Sequence, residues 1–354
     1  MSWLYFVATS PPTTSTKVAT TLRICLLTPQ DLDADPFPTD DWPNDPRPYL
    51  PEATWHVATV AKTTSARAVT RLVKQGGFDL FFNLCSGAAD EDMPGIEVAR
   101  ALERHGVPFV GPAAAFHEPT RARMKRACRA AGIPTPAHVF VRDEAGIARA
   151  AARLRFPLIV KHHSSYASVS LSRASRVCSP AGLARQAHKI LARHGAALVE
   201  EFVEGTECTV LVAEHPHPGT APTTFTPIQY RFPAGETFKH ENLKWVDYDG
   251  LDAHPVEDSL LAARLRGISA RFFTAVGGNS FARCDVRVDR TGQPWMLEIN
   301  PNCGVYYPPD AAGSADLCLQ HDPAGHEGFT RQVVAAALRR HARRRRQDRR
   351  SDAA

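Results

Sequence analysis

No stretch of this sequence approaches the roughly 18–20 consecutive apolar residues of a membrane-spanning helix, so no membrane partner is expected. None of the eight cysteines, at 25, 85, 128, 178, 208, 284, 303 and 318, is paired as C-x-x-C, which argues against a zinc knuckle or a redox couple. Most stand in or beside apolar runs such as RICLL, CTVLV and ARCDV, where a reduced cysteine packs as a small hydrophobe. A reducing, cytoplasmic compartment fits that usage. No acidic residue precedes Asp31, and no basic residue precedes the short apolar run WLYFVA. A secretory signal needs a basic start and a longer apolar stretch. Residues 1–20 are therefore expected to be a disordered leader, with an organelle transit peptide as the alternative. The chain has no internal repeat.

What is present is ordinary for a soluble protein: 354 residues, 44% of them apolar and 22% charged. That length suggests two or three domains of roughly 150 residues each. The formal charge of +5 is concentrated at one end. Residues 339–350 hold eight arginines and one aspartate, and without them the charge becomes −2. A nucleic-acid-binding domain needs its basic surface within the fold, so no nucleic acid is expected at the core. The arginines could serve as a nuclear address or a polyanion contact; the plainer reading is a solvated, frayed helix end.

Short apolar runs alternate with helical stretches through the first third of the chain. Strands are expected at 22–27, 54–60, 78–84 and 108–110, with helices at 65–74 and 95–105, which together make a small doubly wound α/β unit. Residues 29–51 are dense in proline and read as a long loop. A basic helix follows at 120–131, then a strand at 137–141, a helix at 144–154, the strand PLIVK and a helix at 180–193. ALVEEF and ECTVLV are two further apolar runs separated by a short turn. A long helix is expected at 258–276 and a last one at 326–340. Between them lies FARCDVRVDRTGQPWMLEIN, a strand–turn–strand hairpin with Asp289–Gly292 as its turn.

This hairpin carries the strongest local chemistry. Side chains alternate along a strand, so Arg283, Asp285 and Arg287 share one face, and Cys284, Val286 and Val288 the other. A two-residue turn at Arg290-Thr291 sets Asp285 opposite Met296, with Glu298 its diagonal neighbour. Asp285, Glu298 and Asn300 then converge as an all-oxygen cluster suited to magnesium or manganese shared with phosphate oxygens. An ordinary amphipathic hairpin with a solvated acidic face is the competing reading, and Glu-Ile-Asn-Pro-Asn at the strand end weighs against it.

The phrase RCDVRVDRTGQPWMLEINPNCG, preceded in order by FVGP, a basic helix with Lys125, PLIVK and LVEEFVEGTECTV, resembles the ATP-grasp superfamily, in particular its D-alanine–D-alanine ligase-like branch, over roughly residues 78–335. The resemblance implies the α/β (α+β) ATP-grasp fold. Its parts would be an N-terminal doubly wound α/β domain (21–117), a central lid domain (118–204) and a C-terminal ATP-grasp domain (205–340), followed by the basic tail 341–354. It implies an ATP-dependent carboxylate–amine ligase that works through an acyl phosphate, often as a homodimer through the N-terminal domain. By position, Asp285, Glu298 and Asn300 match the metal ligands, and Arg283 the arginine that steadies the oxyanion. Glu200, Glu201 and Val203 match the segment facing the adenine edge, although by composition alone residues 200–204 read as a solvated charge run. Glu207 matches the ribose-binding acid, and Lys125 and Lys161 match lysines on the ATP phosphates. Lys244 matches a lysine that reaches the terminal phosphates, with Lys239 as its rival.

Two segments depart from the family. The phosphate-covering loop reads HHSSYASVS, with no glycine; Ser168 matches an expected serine, while Tyr166 stands where small residues are usual. The dipeptide ligases' histidine–glycine pair is replaced by Ser86-Gly87, within NLCSGAADEDMPG. Two other readings stand beside the ligase: a kinase-like use of the same grip, and a non-catalytic nucleotide-binding module whose altered loop no longer positions ATP. The intact Arg283, Asp285, Glu298 and Asn300 argue against the non-catalytic module, and the glycine-free loop argues for it.

Overall fold

A computed structural model describes residues 21–30, 44–89, 91–164, 171–240 and 251–351. Lys244, Ser168 and Tyr166 lie outside the described residues. Runs of apolar residues with little polar alternation form strands buried on both faces, the usual signature of a parallel sheet. Three such strands, β1 (Arg23–Pro29), β3 (Leu80–Asn83) and β4 (Phe109–Val110), join the largely exposed edge strand β2 (Thr54–Val60) in a parallel sheet of order β2-β1-β3-β4. Helices α1 (Ser65–Gln75) and α2 (Ile96–Arg104) bury Val69, Leu72, Val98 and Leu102 against Cys25, Leu27 and Phe81 on one face. The strand order reverses between β1 and β3, and ligands of such sheets bind beyond the strands' carboxyl ends at that point. Asn83 to Gly87 leave the sheet there.

After the short helix α3 (Ala114–His117) and α4 (Arg121–Ala130), the chain builds a second, antiparallel sheet. Its strands are β5 (His138–Val141), β6 (Leu158–His162), β7 (Arg176–Val177) and β8 (Ala197–Glu201), in the order β5-β8-β6-β7. Helices α5 (Glu144–Arg153) and α6 (Pro180–His194) cover it through Ile147, Ala150, Leu183 and Ile190. Asp143 and Ser179 cap these two helices by accepting from Gly146 N and Gly182 N.

The third sheet contains β9 (Gly205–Ala213), β10 (Thr223–Thr224), β11 (Ile228–Arg231), β12 (Asp252–Pro255), β13 (Phe281–Asp289) and β14 (Pro294–Pro301). Its order is β12-β11-β9-β13-β14, with β10 paired to β9. Helix α7 (Ser259–Ala275) packs Leu265, Ile268, Phe272 and Phe273 beneath it, and Met124 and Cys128 of α4 join that cluster. The other face is covered in part by α8 (Ser314–Gln320) and α9 (Gly325–Ser351), whose Leu319, Phe329 and Val333 also meet Ile24, Leu26 and Phe82 of the first sheet. One core thus unites the first and third sheets.

Two expectations are corrected. The last helix does not end at Arg340 but runs to Ser351, and its arginines are not all solvated. Arg340 pairs with Glu214 and donates to Phe109 O at 2.8 Å, while residues 342–350 are exposed. The hairpin register also differs. Asp289 N bonds Gln293 O at 3.0 Å across a three-residue loop whose last member, Gly292, has φ +79°, a left-handed conformation that favours glycine. A bulge at Leu297 shifts the pairing again, so that Val286 faces Met296 but Asp285 faces Glu298 directly. Met296 and Ile299 are the buried core residues of β14, whereas Trp295 is only half-buried and donates to Asp289 Oδ2 at 2.8 Å.

Candidate active site

The bulge brings the hairpin's polar groups into one cluster. Arg283 forks onto Asp285, Nε to Oδ1 and Nη2 to Oδ2 at 2.9 Å each. Asn300 Nδ2 donates to Asp285 Oδ2 at 2.8 Å, and Thr209 Oγ1 to Asp285 Oδ1 at 2.9 Å. Burial alone would raise the Asp285 carboxyl, but Arg283 beside it holds it down at about 2. Glu298, across from Asp285, pairs with Arg121 Nη1 at 2.6 Å. Arg121 is the first residue of α4, one turn before Lys125, so the two cations share a helix face. That i, i+4 spacing to Lys125 is the one signal in the sequence that points to Arg121.

Lys125 and Lys161 meet across Glu200. Each ammonium contacts one oxygen of this carboxylate, which is 1% exposed. Burial would push Glu200 up, yet the two lysines hold it well below the usual carboxylate range. Burial also lowers Lys161, against the pull of Glu200. Lys125 donates in addition to Thr135 Oγ1 at 2.7 Å, and Thr135 to Met296 O at 2.8 Å, which ties the lysine cluster to the hairpin. Glu200 is therefore not part of a solvated charge run. Lys161 lies within electrostatic reach of Arg121 and Glu298, so the lysine cluster and the acidic hairpin are neighbours.

Beyond Glu200 the chain crosses from the second sheet to the third. Glu201 accepts from Arg155 N and Nη2, both at 3.0 Å, and Arg176 pairs with Glu204. Glu207 pairs with the buried Arg287 at 3.3 Å. Alternation puts Arg287 on the charged strand face but does not by itself indicate this partner. Lys239 Nζ stands 3.0 Å from the centroid of the Tyr230 ring and acts on Asp285, so the rival of Lys244 is within the site.

A protein-family model described as "D-ala D-ala ligase C-terminus" matches residues 128–307, half of the chain. A D-alanine–D-alanine ligase of Stutzerimonas stutzeri is 32% identical over 242 residues, which cover 66% of this chain and 71% of that protein. The chain belongs to the D-alanine–D-alanine ligase family. A second such ligase, from Laribacter hongkongensis, is 29% identical and covers 71% of this chain and 80% of its own. Among solved structures, the D-alanine–D-alanine ligase from Coxiella burnetii superimposes with a TM-score of 0.66, at 15% identity over 95% of this chain and 99% of that one. The ligase from Bacillus anthracis complexed with ATP gives a TM-score of 0.65, at 16% identity over 92% and 100%. The fold is thus the ATP-grasp fold of this family. Like its relatives, the chain is an ATP-dependent ligase that forms a carbon–nitrogen bond, and the kinase-like and non-catalytic readings are set aside. Among the described residues of this family member, no helix is long and apolar enough to cross a membrane.

Proposed function

We propose that the chain joins the carboxylate of one amino acid to the amine of another, with ATP held in the cleft between the second and third sheets. The observation that carries this reading is the meeting of the buried Lys125–Glu200–Lys161 cluster with the Asp285–Glu298 hairpin across Arg121. Such a juxtaposition presents cations for phosphate oxygens beside carboxylates for a hard metal ion. In this reading the backbone at 200–203 faces the base, Glu207 the ribose, and Lys125 and Lys161 the phosphates, with Ser168 and Lys244 closing from segments outside the described residues.

Among the described residues no trio of His, Cys, Asp or Glu is placed to hold a metal by itself. The hairpin instead offers two carboxylates and an amide, Asp285, Glu298 and Asn300, with Asp285 and Glu298 directly opposed. That oxygen-only set fits magnesium or manganese sharing its coordination with phosphate, and does not fit zinc. When bound, the metal supplies neutralisation of phosphate charge. The carboxylate substrate attacks the terminal phosphorus of ATP, and ADP leaves. The amine then adds to the acyl phosphate, and phosphate departs as the amide forms. Arg283, fixed by its fork onto Asp285, stabilises the negative charge that develops on the carbonyl oxygen during that addition.

The substrates are proposed to be amino acids, D-alanine first among those to test because relatives bear that name. Ser86-Gly87, at the carboxyl end of β3, belongs to the loop where this chain's choice of substrate is decided. A cytoplasmic homodimer joined through the N-terminal domain, with lid 118–204 and C-terminal domain 205–340, completes the proposal. Phosphate release with ATP and magnesium should require an acid and an amine together and should stop in excess EDTA. Phosphate release from ATP alone, or full activity in EDTA, would contradict it.

A further inference from the structure

Arg287 takes no part in the steps above, yet the residue is only 3% exposed and its guanidinium is held by four protein oxygens. Nε donates to Val203 O at 2.7 Å, and Nη2 to Gly205 O at 2.8 Å. Nη1 reaches Thr237 O at 2.9 Å and Glu207 Oε2 at 3.3 Å. The guanidinium carbon also lies 4.6 Å from the centroid of the Phe202 ring. All these partners except Thr237 fall within 202–207, where the chain passes from the second sheet to the third. Thr237 precedes Lys239 by two residues, so one side chain ties the connector to the segment bearing that lysine.

Other arginines hold the same connector differently. Arg155 and Arg176 grip the side-chain carboxylates of Glu201 and Glu204, and Arg155 is largely exposed. Screened ion pairs of that kind fix little. Arg287 instead bonds the backbone, from inside the protein. A buried guanidinium is costly unless its donors are met, and here three carbonyl oxygens and a carboxylate meet them. A lysine could satisfy only part of this set, because it lacks the planar fork. In return, the peptides at Val203 and Gly205 and the carboxylate of Glu207 are held in one arrangement.

We infer that Arg287 is a positioning residue for the nucleoside half of ATP, holding the connector 203–205 and Glu207 in the geometry that receives base and ribose. The inference rests on the proposed ATP cleft. The test compares the binding of ATP and of inorganic tripolyphosphate to the full-length wild type, Arg287→Met and Arg287→Lys. Tripolyphosphate probes the lysine end alone. In Arg287→Met, ATP affinity should fall about tenfold or more while tripolyphosphate affinity stays within about twofold, the scale of lost charge-assisted hydrogen bonds. The KM for ATP should rise in parallel, with kcat at saturating ATP nearly unchanged. Arg287→Lys should fall between wild type and Arg287→Met, and it carries the comparison alone should the methionine variant fail to fold. Unchanged ATP affinity, or equal losses for both ligands, would overturn the positioning role. A wild type that binds tripolyphosphate but gains nothing from the nucleoside would overturn the ATP reading of the cleft, and this inference with it.

Discussion

A carboxylate that is 1% exposed between two ammonium groups is stable only while all three groups stay charged. Glu200→Gln should therefore lower stability by about 3 kcal/mol, because it leaves two buried lysines short of a counter-ion. Urea denaturation at neutral pH measures this directly. The pH dependence has a definite sign. Glu200 and Asp285 are both depressed in the folded protein from ordinary values of 4.5 and 3.8. Their contribution to stability is thus complete above those ordinary values, and it is lost as the pH falls from there through the folded values, about 2 for Asp285. The urea midpoint should hold steady down to the ordinary carboxylate range and then drop, less steeply in Glu200→Gln. In the hairpin, Glu298→Gln and Arg283→Lys should each cut turnover by about a hundredfold or more while the melting temperature moves little. A sharp fall in melting temperature in Glu298→Gln would make that residue structural. The sequence exposed Asp285, Glu298 and Asn300 because alternation separates an acidic face from an apolar one. It hid the role of the Glu200 side chain because β8 is buried almost throughout and offers no alternation to read.

At the scale of elements, most strands and helices were legible, since their apolar runs and caps agree with one another. The hairpin register was not. Gly292 at the end of the turn is the mark of a three-residue loop, and a two-residue turn overlooks it. The bulge at Leu297 has no local signal, because Trp295 to Ile299 are apolar apart from Glu298. Without that bulge, Glu298 would not face Asp285. A comparable constraint shapes the loop after β3. Gly87 and Gly95 pair so closely that a Cβ on Gly95 would overlap the Gly87 carbonyl, and Lys62 donates to Ala88 O at 2.8 Å and Ala89 O at 3.1 Å to close the loop. Gly95→Ala should displace Ser86-Gly87. The expected result is a raised KM for the amino-acid substrate with ATP affinity unchanged, read from initial rates; an unchanged KM would remove this loop from the substrate site.

For the molecule as a whole, the order of sheets followed from the sequence, but the joining of the first and third did not. Ile24, Phe82, Phe281 and Phe329 form one core, and nothing in an apolar face specifies which other face will cover it. The arginine tail divides at the same scale. Removing residues 343–354 should leave turnover within about twofold of wild type, as exposed charge runs contribute little. Removing residues from 339 onward should lower the melting temperature, because Arg340 then no longer bridges Glu214 and Phe109 between the third and first sheets. Equal melting temperatures for the two truncations would show that bridge to be dispensable. In the proposed reaction as a whole, a carboxylate is activated by phosphoryl transfer before the amine attacks. Oxygen-18 in the carboxylate of the amino-acid substrate tests it most directly, by mass spectrometry of the phosphate released with ATP, magnesium and the amine. One labelled oxygen should appear in the released phosphate, because the oxygen that attacked phosphorus leaves with it. Unlabelled phosphate alongside amide product would contradict an acyl-phosphate route.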